Sequence, residues 1–125
     1  MSLRNLFIAS SIIGFIFGLG FYLAPAQTIG PYGVEPPTQS TLYFIRFVGA
    51  SFIGFSLLAW LVKDEPASDT RQKILLSYFV SYLLLLIVML IEQLTTPVGA
   101  LVWVNIVIQA LFTAGFGYYR FVKSA

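Results

Sequence analysis

Four long apolar runs separated by three short polar breaks take up almost the whole chain. Residues 6–23, 42–62, 74–91 and 98–118 each suffice, at about 1.5 Å per residue, to cross a hydrocarbon core of roughly 30 Å. A chain of 125 residues spent this way has room for little else. The expected fold is an all-α integral membrane protein, an antiparallel bundle of four transmembrane helices in a single domain over residues 1–125. Only 10% of the residues are charged, against about 25% in an ordinary soluble domain.

The cations set the threading. Arg4, Lys63, Arg71, Lys73, Arg120 and Lys123 fall on the side of the N-terminus, and Arg46 is the one cation towards the other side. Positive charge collects on the cytoplasmic side of a membrane. Both termini are therefore expected in the cytoplasm and the 24–40 loop outside. Tyr22, Tyr43 and Trp103 then lie towards the outer interface, and Trp60, Tyr118 and Tyr119 towards the inner one, as an aromatic belt requires. The pI near 9.0 reads as topology and not as a nucleic-acid stripe, because the cations flank the apolar runs. Arg4 followed by an apolar run and the Ala-Pro-Ala at 24–26 resembles a secretory signal, but the run is longer than the usual h-region and reads as a span.

The breaks carry local signals. The 24–40 loop is rich in Pro and Gly, which argues against a continuous helix. Pro66 should stop the second span, and Ser68 or Asp69 can cap the third. Thr96 before Pro97 reads as the N-cap and first position of the fourth helix. A link that short makes helices three and four antiparallel neighbours.

Composition excludes several chemistries. There is no Cys and no His, so thiol chemistry, iron–sulfur clusters and the usual haem and zinc ligands have no side chains to use. No metal or other cofactor is expected, and Ser77 and Ser81 lack a histidine base. Gly-Pro-Tyr-Gly at 30–33 is a turn signal and lacks the lysine and hydroxyl of a phosphate loop.

Packing signals are spread over all four spans. Each carries a small-xxx-small pair: Gly14 and Gly18, Ala50 and Gly54, Ser77 and Ser81, Ala110 and Ala114. Helices in lipid associate by close packing over such residues. Three polar or small stripes should face the bundle interior: Ser11, Gly14, Gly18, Tyr22; Ser77, Ser81, Leu85, Val88, Glu92; and Asn105, Gln109, Thr113.

Arg46 and Glu92 are the sharpest functional candidates. Arg46 lies about five residues into its span, roughly 7 Å deep, and Glu92 ends the third span at similar depth. Ionisable residues inside spans are costly unless paired or hydrated. The pair is read either as a salt bridge tying two helices or as part of a ligand site. Gln93, Asn105, Gln109, Tyr22 and Tyr43 complete an outward pocket in the second reading. Tyr32, Glu35 and the Pro36-Pro37 corner of the loop would cover it.

Arg46, Gly49, Ala50 and Gly54 form R-x-x-G-A-x-x-x-G. This resembles the opening of the second span in small four-helix bacterial inner-membrane proteins, grouped as DoxX-like or of unknown function. The Gly-rich first span ending at Pro25, followed by Tyr32-Gly33, is similar too. The resemblance implies the fold and a bacterial inner membrane, and no reaction. The leading expectation is a non-enzymatic membrane protein, either an accessory subunit or a binder of a small amphiphile. Its surroundings are the lipid bilayer, other membrane proteins or copies of itself, and no nucleic acid. The alternatives are an oligomeric small transporter or channel protomer, and a lipid-modifying enzyme using Glu92.

Overall fold

The computed structural model describes residues 1–33, 37–96 and 99–123. Among them every regular element is helical: α1 Leu3–Leu23, α2 Pro25–Ile29, a 3-10 turn Gly30–Tyr32, α3 Gln39–Val62, α4 Asp69–Thr95 and α5 Val102–Gly117. A π-helical turn, Tyr118–Val122, continues α5. Leu3–Leu23, Gln39–Val62, Asp69–Thr95 and Val102–Val122 are long and apolar enough to cross a membrane.

The helices begin where side-chain oxygens satisfy their first amides. Thr38 Oγ1 accepts from Thr41 N at 3.2 Å and starts α3. Ser68 Oγ accepts from Arg71 N at 3.1 Å and starts α4, so the serine and not Asp69 is the cap. Both helices therefore begin before their apolar runs. The 24–40 loop holds two short helical pieces, α2 and the 3-10 turn, and among the described residues no continuous helix, in keeping with its prolines and glycines. Pro25 is buried at the first position of α2, where a missing N–H costs nothing. Gly33 closes the following 3-10 turn at φ 75°, a left-handed conformation that favours glycine. Glu35 and Pro36 of the expected lid lie outside the described residues.

The third break also differs from expectation. Thr96 ends α4, its N–H bonding to the Glu92 carbonyl at 2.7 Å, and does not open the last helix. The α-helix α5 begins at Val102. Helix α4 runs past its apolar stretch because Thr95 Oγ1 donates back to the Ile91 carbonyl at 2.7 Å and Gln93 is anchored beyond the turn. Pro97 and Val98 lie outside the described residues.

The chain forms two compact units, Phe7–Lys63 and Met1–Leu6 with Asp64–Ala125. In the first, α1 and α3 approach closely through small residues. A Cβ on Gly14 would stand 2.0 Å from Ser56 Oγ, and one on Gly18 would stand 3.1 Å from the Gly49 carbonyl oxygen. A Cβ on Gly49 would meet the Tyr22 nitrogen at 2.7 Å. The α1 pair therefore packs as expected. The α3 pair does not: Ala50 and Gly54 are exposed, and Gly49, Ile53 and Ser56 make the contact instead. Phe21 and Phe52 add an edge-on ring contact at 5.9 Å. Helix α2 folds back so that Thr28 lies against Gly20.

In the second unit, α4 and α5 run antiparallel along a column of stacked rings. Tyr78 stacks on Phe116 at 5.1 Å, Tyr82 on Phe112 at 5.0 Å and on Phe116 at 5.7 Å. All four rings are buried. Phe79 meets Phe121 edge-on at 5.2 Å and lies where a Cβ on Gly117 would come within 2.9 Å. Leu6 similarly covers Gly115. The chain start is tied down twice: the Tyr119 hydroxyl donates to the Met1 carbonyl, and Arg4 Nε donates to Asp64 Oδ1 at 2.7 Å.

The expected inward stripe of α4 holds only at its middle. Ser81 and Leu85 are half-buried and Ser77, Val88 and Glu92 exposed, while Leu75, Tyr78, Tyr82 and Gln93 are buried. A serine whose hydroxyl back-bonds to its own helix needs no interior partner, and Ser77 Oγ donates to the Lys73 carbonyl at 3.1 Å. The rings, with far more surface to cover, take the contact face.

Candidate functional site

The sequence-derived candidates divide between the two units. Tyr22, Tyr43 and Arg46 belong to the first; Glu92, Gln93, Asn105 and Gln109 belong to the second. Arg46 and Glu92 are both exposed, and their pairing remains an expectation drawn from their depth along the chain.

In the first unit the three candidates gather at one end. The close approach of Gly49 to the Tyr22 backbone fixes the last turn of α1 beside α3. Arg46 lies one turn before Gly49, and Tyr43 one turn before Arg46, so all three fall within roughly 10 Å along the axis. Around Arg46 the structure adds two residues that the sequence reading passed over. Tyr43, Phe44 and Phe47 are 59%, 63% and 52% exposed. Their rings nevertheless touch one another, with Tyr43 to Phe47 at 4.6 Å and Tyr43 to Phe44 at 6.0 Å. An exposed arginine on the same two turns as these mutually packed rings offers a bidentate donor, with Tyr43 and Phe47 the rings nearest its face of the helix. The signal for it was in the sequence: aromatics at 43, 44 and 47 bracket the span's one cation along the chain, with Tyr43 and Phe47 on the faces of the helix next to it.

In the second unit Glu92, Gln93 and Asn105 lie near the α4–α5 turn and Gln109 about two turns into α5. Gln93 is buried, and its Nε2 donates to the Gly99 carbonyl at 3.1 Å, closing the turn. Glu92 presents its side chain outward at the same level. Along α5, Thr113 is buried and gives its hydroxyl to the Gln109 carbonyl at 2.7 Å. Asn105 and Gln109 are half-buried. Gln109 Oε1 is enclosed and accepts no hydrogen bond among the described residues. The α5 stripe thus turns inward most fully at Thr113. Among the described residues no three His, Cys, Asp or Glu side chains cluster to hold a metal ion.

Fold and site together define an all-helical protein with four helices able to cross a membrane and an arginine–aromatic patch at the start of α3. Residues 8–124 match a family described as Domain of unknown function (DUF8292), and the chain belongs to that family. No curated protein and no solved structure matches it. The family match does not extend to the DoxX-like grouping, a likeness that rests on the Arg46-to-Gly54 motif.

Proposed function

We propose that the protein is a non-enzymatic, multi-pass protein of the bacterial cell membrane that holds a small amphiphile at its outer end, with Arg46 as the anchor for the amphiphile's polar head. The carrying observation is the patch on α3. Arg46 is a charge within an apolar run, exposed on the same two turns of α3 as Tyr43, Phe44 and Phe47, whose exposed rings contact one another. Placing such a cation at the membrane boundary is costly unless something hydrates or neutralises it. An anionic head would do so while its apolar tail lies along Tyr43, Phe44 and Phe47. The exposed apolar side chains of all four long helices, such as Ile16, Leu61, Leu84 and Leu111, support the membrane setting, since surfaces of that kind are not left to water.

The test is to purify wild type and Arg46→Leu in the same mild detergent and to identify retained amphiphiles by mass spectrometry. A species lost from the variant is expected. An unchanged set of bound amphiphiles would remove Arg46 from any binding role.

A second reading, an accessory subunit or self-associating protein, is favoured by Ala50 and Gly54. These small residues stand exposed on α3 and are not used inside their own unit; small residues of this spacing let helices approach closely in lipid. Affinity purification from native membranes, comparing wild type with Gly54→Leu, separates it from the first reading. A companion protein lost only from Gly54→Leu supports the subunit role.

A further inference from the structure

The end of the α4–α5 unit that holds the start of α4 carries a feature unrelated to Arg46. Arg71, Leu75, Tyr78 and Tyr82 recur at three- and four-residue steps and share one stripe of α4. On α5, Phe112 and Phe116 share another, and Arg120 follows four residues beyond Phe116 in the π-helical turn that continues α5. The stacked pairs Tyr78–Phe116 and Tyr82–Phe112 set the antiparallel register. Both arginines therefore extend from the same end of the ring column, beyond its last stacked pair.

Each arginine is half-buried, and the Nε–H of each is enclosed with no hydrogen-bond partner among the described residues. Arg71 uses one terminal nitrogen on the Glu65 carbonyl at 2.9 Å. The Arg120 guanidinium lies over the Phe121 ring at 5.2 Å. A guanidinium is always charged, so an enclosed N–H calls for an acceptor, and an anionic one most of all. Of the carboxylates close to Arg71 in the chain, Asp64 faces Arg4, and Glu65 and Asp69 are exposed and form no ion pair with either arginine among the described residues. Lys73 and Lys123 add positive charge at this end, and α4 begins here with the positive end of its helix dipole.

We propose that Arg71 and Arg120 together bind the phosphate group of an anionic phospholipid. Planar guanidinium forks match phosphate oxygens in two-point contacts. Basic sites between helix ends on the cytoplasmic side recognise anionic headgroups. The lipid source, in preference to a soluble phosphate, follows from the flanking surface: Tyr118, Phe121 and Val122 are exposed and apolar, which suits an acyl chain and not water. The site is independent of the Arg46 reading and survives its failure.

The test uses the full chain in neutral detergent, with thermal unfolding followed as phosphatidylglycerol, phosphatidylcholine or inorganic phosphate is added. Phosphatidylglycerol should raise the midpoint, and the other two should not at equal concentration. Arg71→Gln with Arg120→Gln should weaken the apparent affinity for phosphatidylglycerol by about tenfold or more. Lys73→Gln with Lys123→Gln removes the same charge from the same end and should leave the shift in place. If the double arginine variant does not fold, native mass spectrometry of each single variant reads the retained phosphatidylglycerol, and retention should fall in both. Equal shifts from the two lipids, or equal losses in the arginine and lysine variants, would overturn the site. A shift from inorganic phosphate as large as that from phosphatidylglycerol would overturn the lipid assignment.

Discussion

Gly49 and Gly54 stand five residues apart on α3 and face opposite circumstances. A methyl group at Gly49 would press on backbone atoms, 2.7 Å from the Tyr22 nitrogen and 2.8 Å from the Gly18 carbonyl oxygen. Among the described residues nothing lies within 4 Å of a Cβ at Gly54. Gly49→Ala should therefore cost about 1–3 kcal/mol, the usual range for overpacking a tight contact. Gly54→Ala should be neutral or stabilise by up to about 1 kcal/mol, through helix propensity alone. Unfolding in detergent measures both, and equal effects would contradict the packing described. The two glutamines divide in the same way. Gln93→Leu removes the bond that closes the α4–α5 turn and should cost about 1 kcal/mol. Gln109→Leu removes an enclosed oxygen with no partner among the described residues; it should be neutral or slightly stabilising in the same assay, and a clear loss would show that Gln109 is bound by something. The sequence made residues 49–54 visible as a small-residue region but chose Ala50 over Gly49. Neighbouring helical positions point about 100° apart, and a chain rich in small residues satisfies the four-residue spacing in more than one register.

At the scale of elements, the rings decide how α4 meets α5. Both helices offered polar stripes, and polar residues are expected to avoid lipid. The hydroxyls of Ser77, Thr95 and Thr113 resolve that demand locally by bonding to carbonyls of their own helix. The contact face is left to Tyr78, Tyr82, Phe112 and Phe116. Phe116→Ala removes a fully buried ring with three ring neighbours and should cost about 3 kcal/mol. Ala110→Leu, at an exposed position of the same helix, should leave stability unchanged. Thermal unfolding of the two variants side by side checks the assignment of faces; a larger loss from Ala110→Leu would reverse it. The number of membrane-length helices and the antiparallel pairing of α4 and α5 were legible because apolar length and a short link leave few choices. Helix ends were less so. Thr96 suits the start of one helix as well as the end of another, and only the hydrogen bond to Glu92 decides between them. The candidate site was legible as residue types and depth, since charges within apolar runs stand out. Phe44 and Phe47 were not, because aromatic residues are common throughout a chain of this composition.

At the scale of the whole molecule, the reading depends on how the chain is threaded. If the four spans alternate across the membrane, six of the seven cations fall on one side, and both proposed sites take their side from that proposed asymmetry. On the proposed threading the Arg46 patch is assigned to the outside and the Arg71–Arg120 end to the inside, where anionic lipid headgroups give the surface its negative potential. The chain contains no cysteine, so a single introduced thiol reports its own location. Gln27 in α2 and Ala67 before α4 are both exposed. The most direct measurement is labelling of Gln27→Cys and Ala67→Cys by a membrane-impermeant maleimide, in intact spheroplasts and again after lysis. Gln27→Cys should label in intact cells, and Ala67→Cys only once the membrane is broken. Labelling of Ala67→Cys before lysis, with Gln27→Cys protected, would contradict the threading and reverse the side assigned to each site.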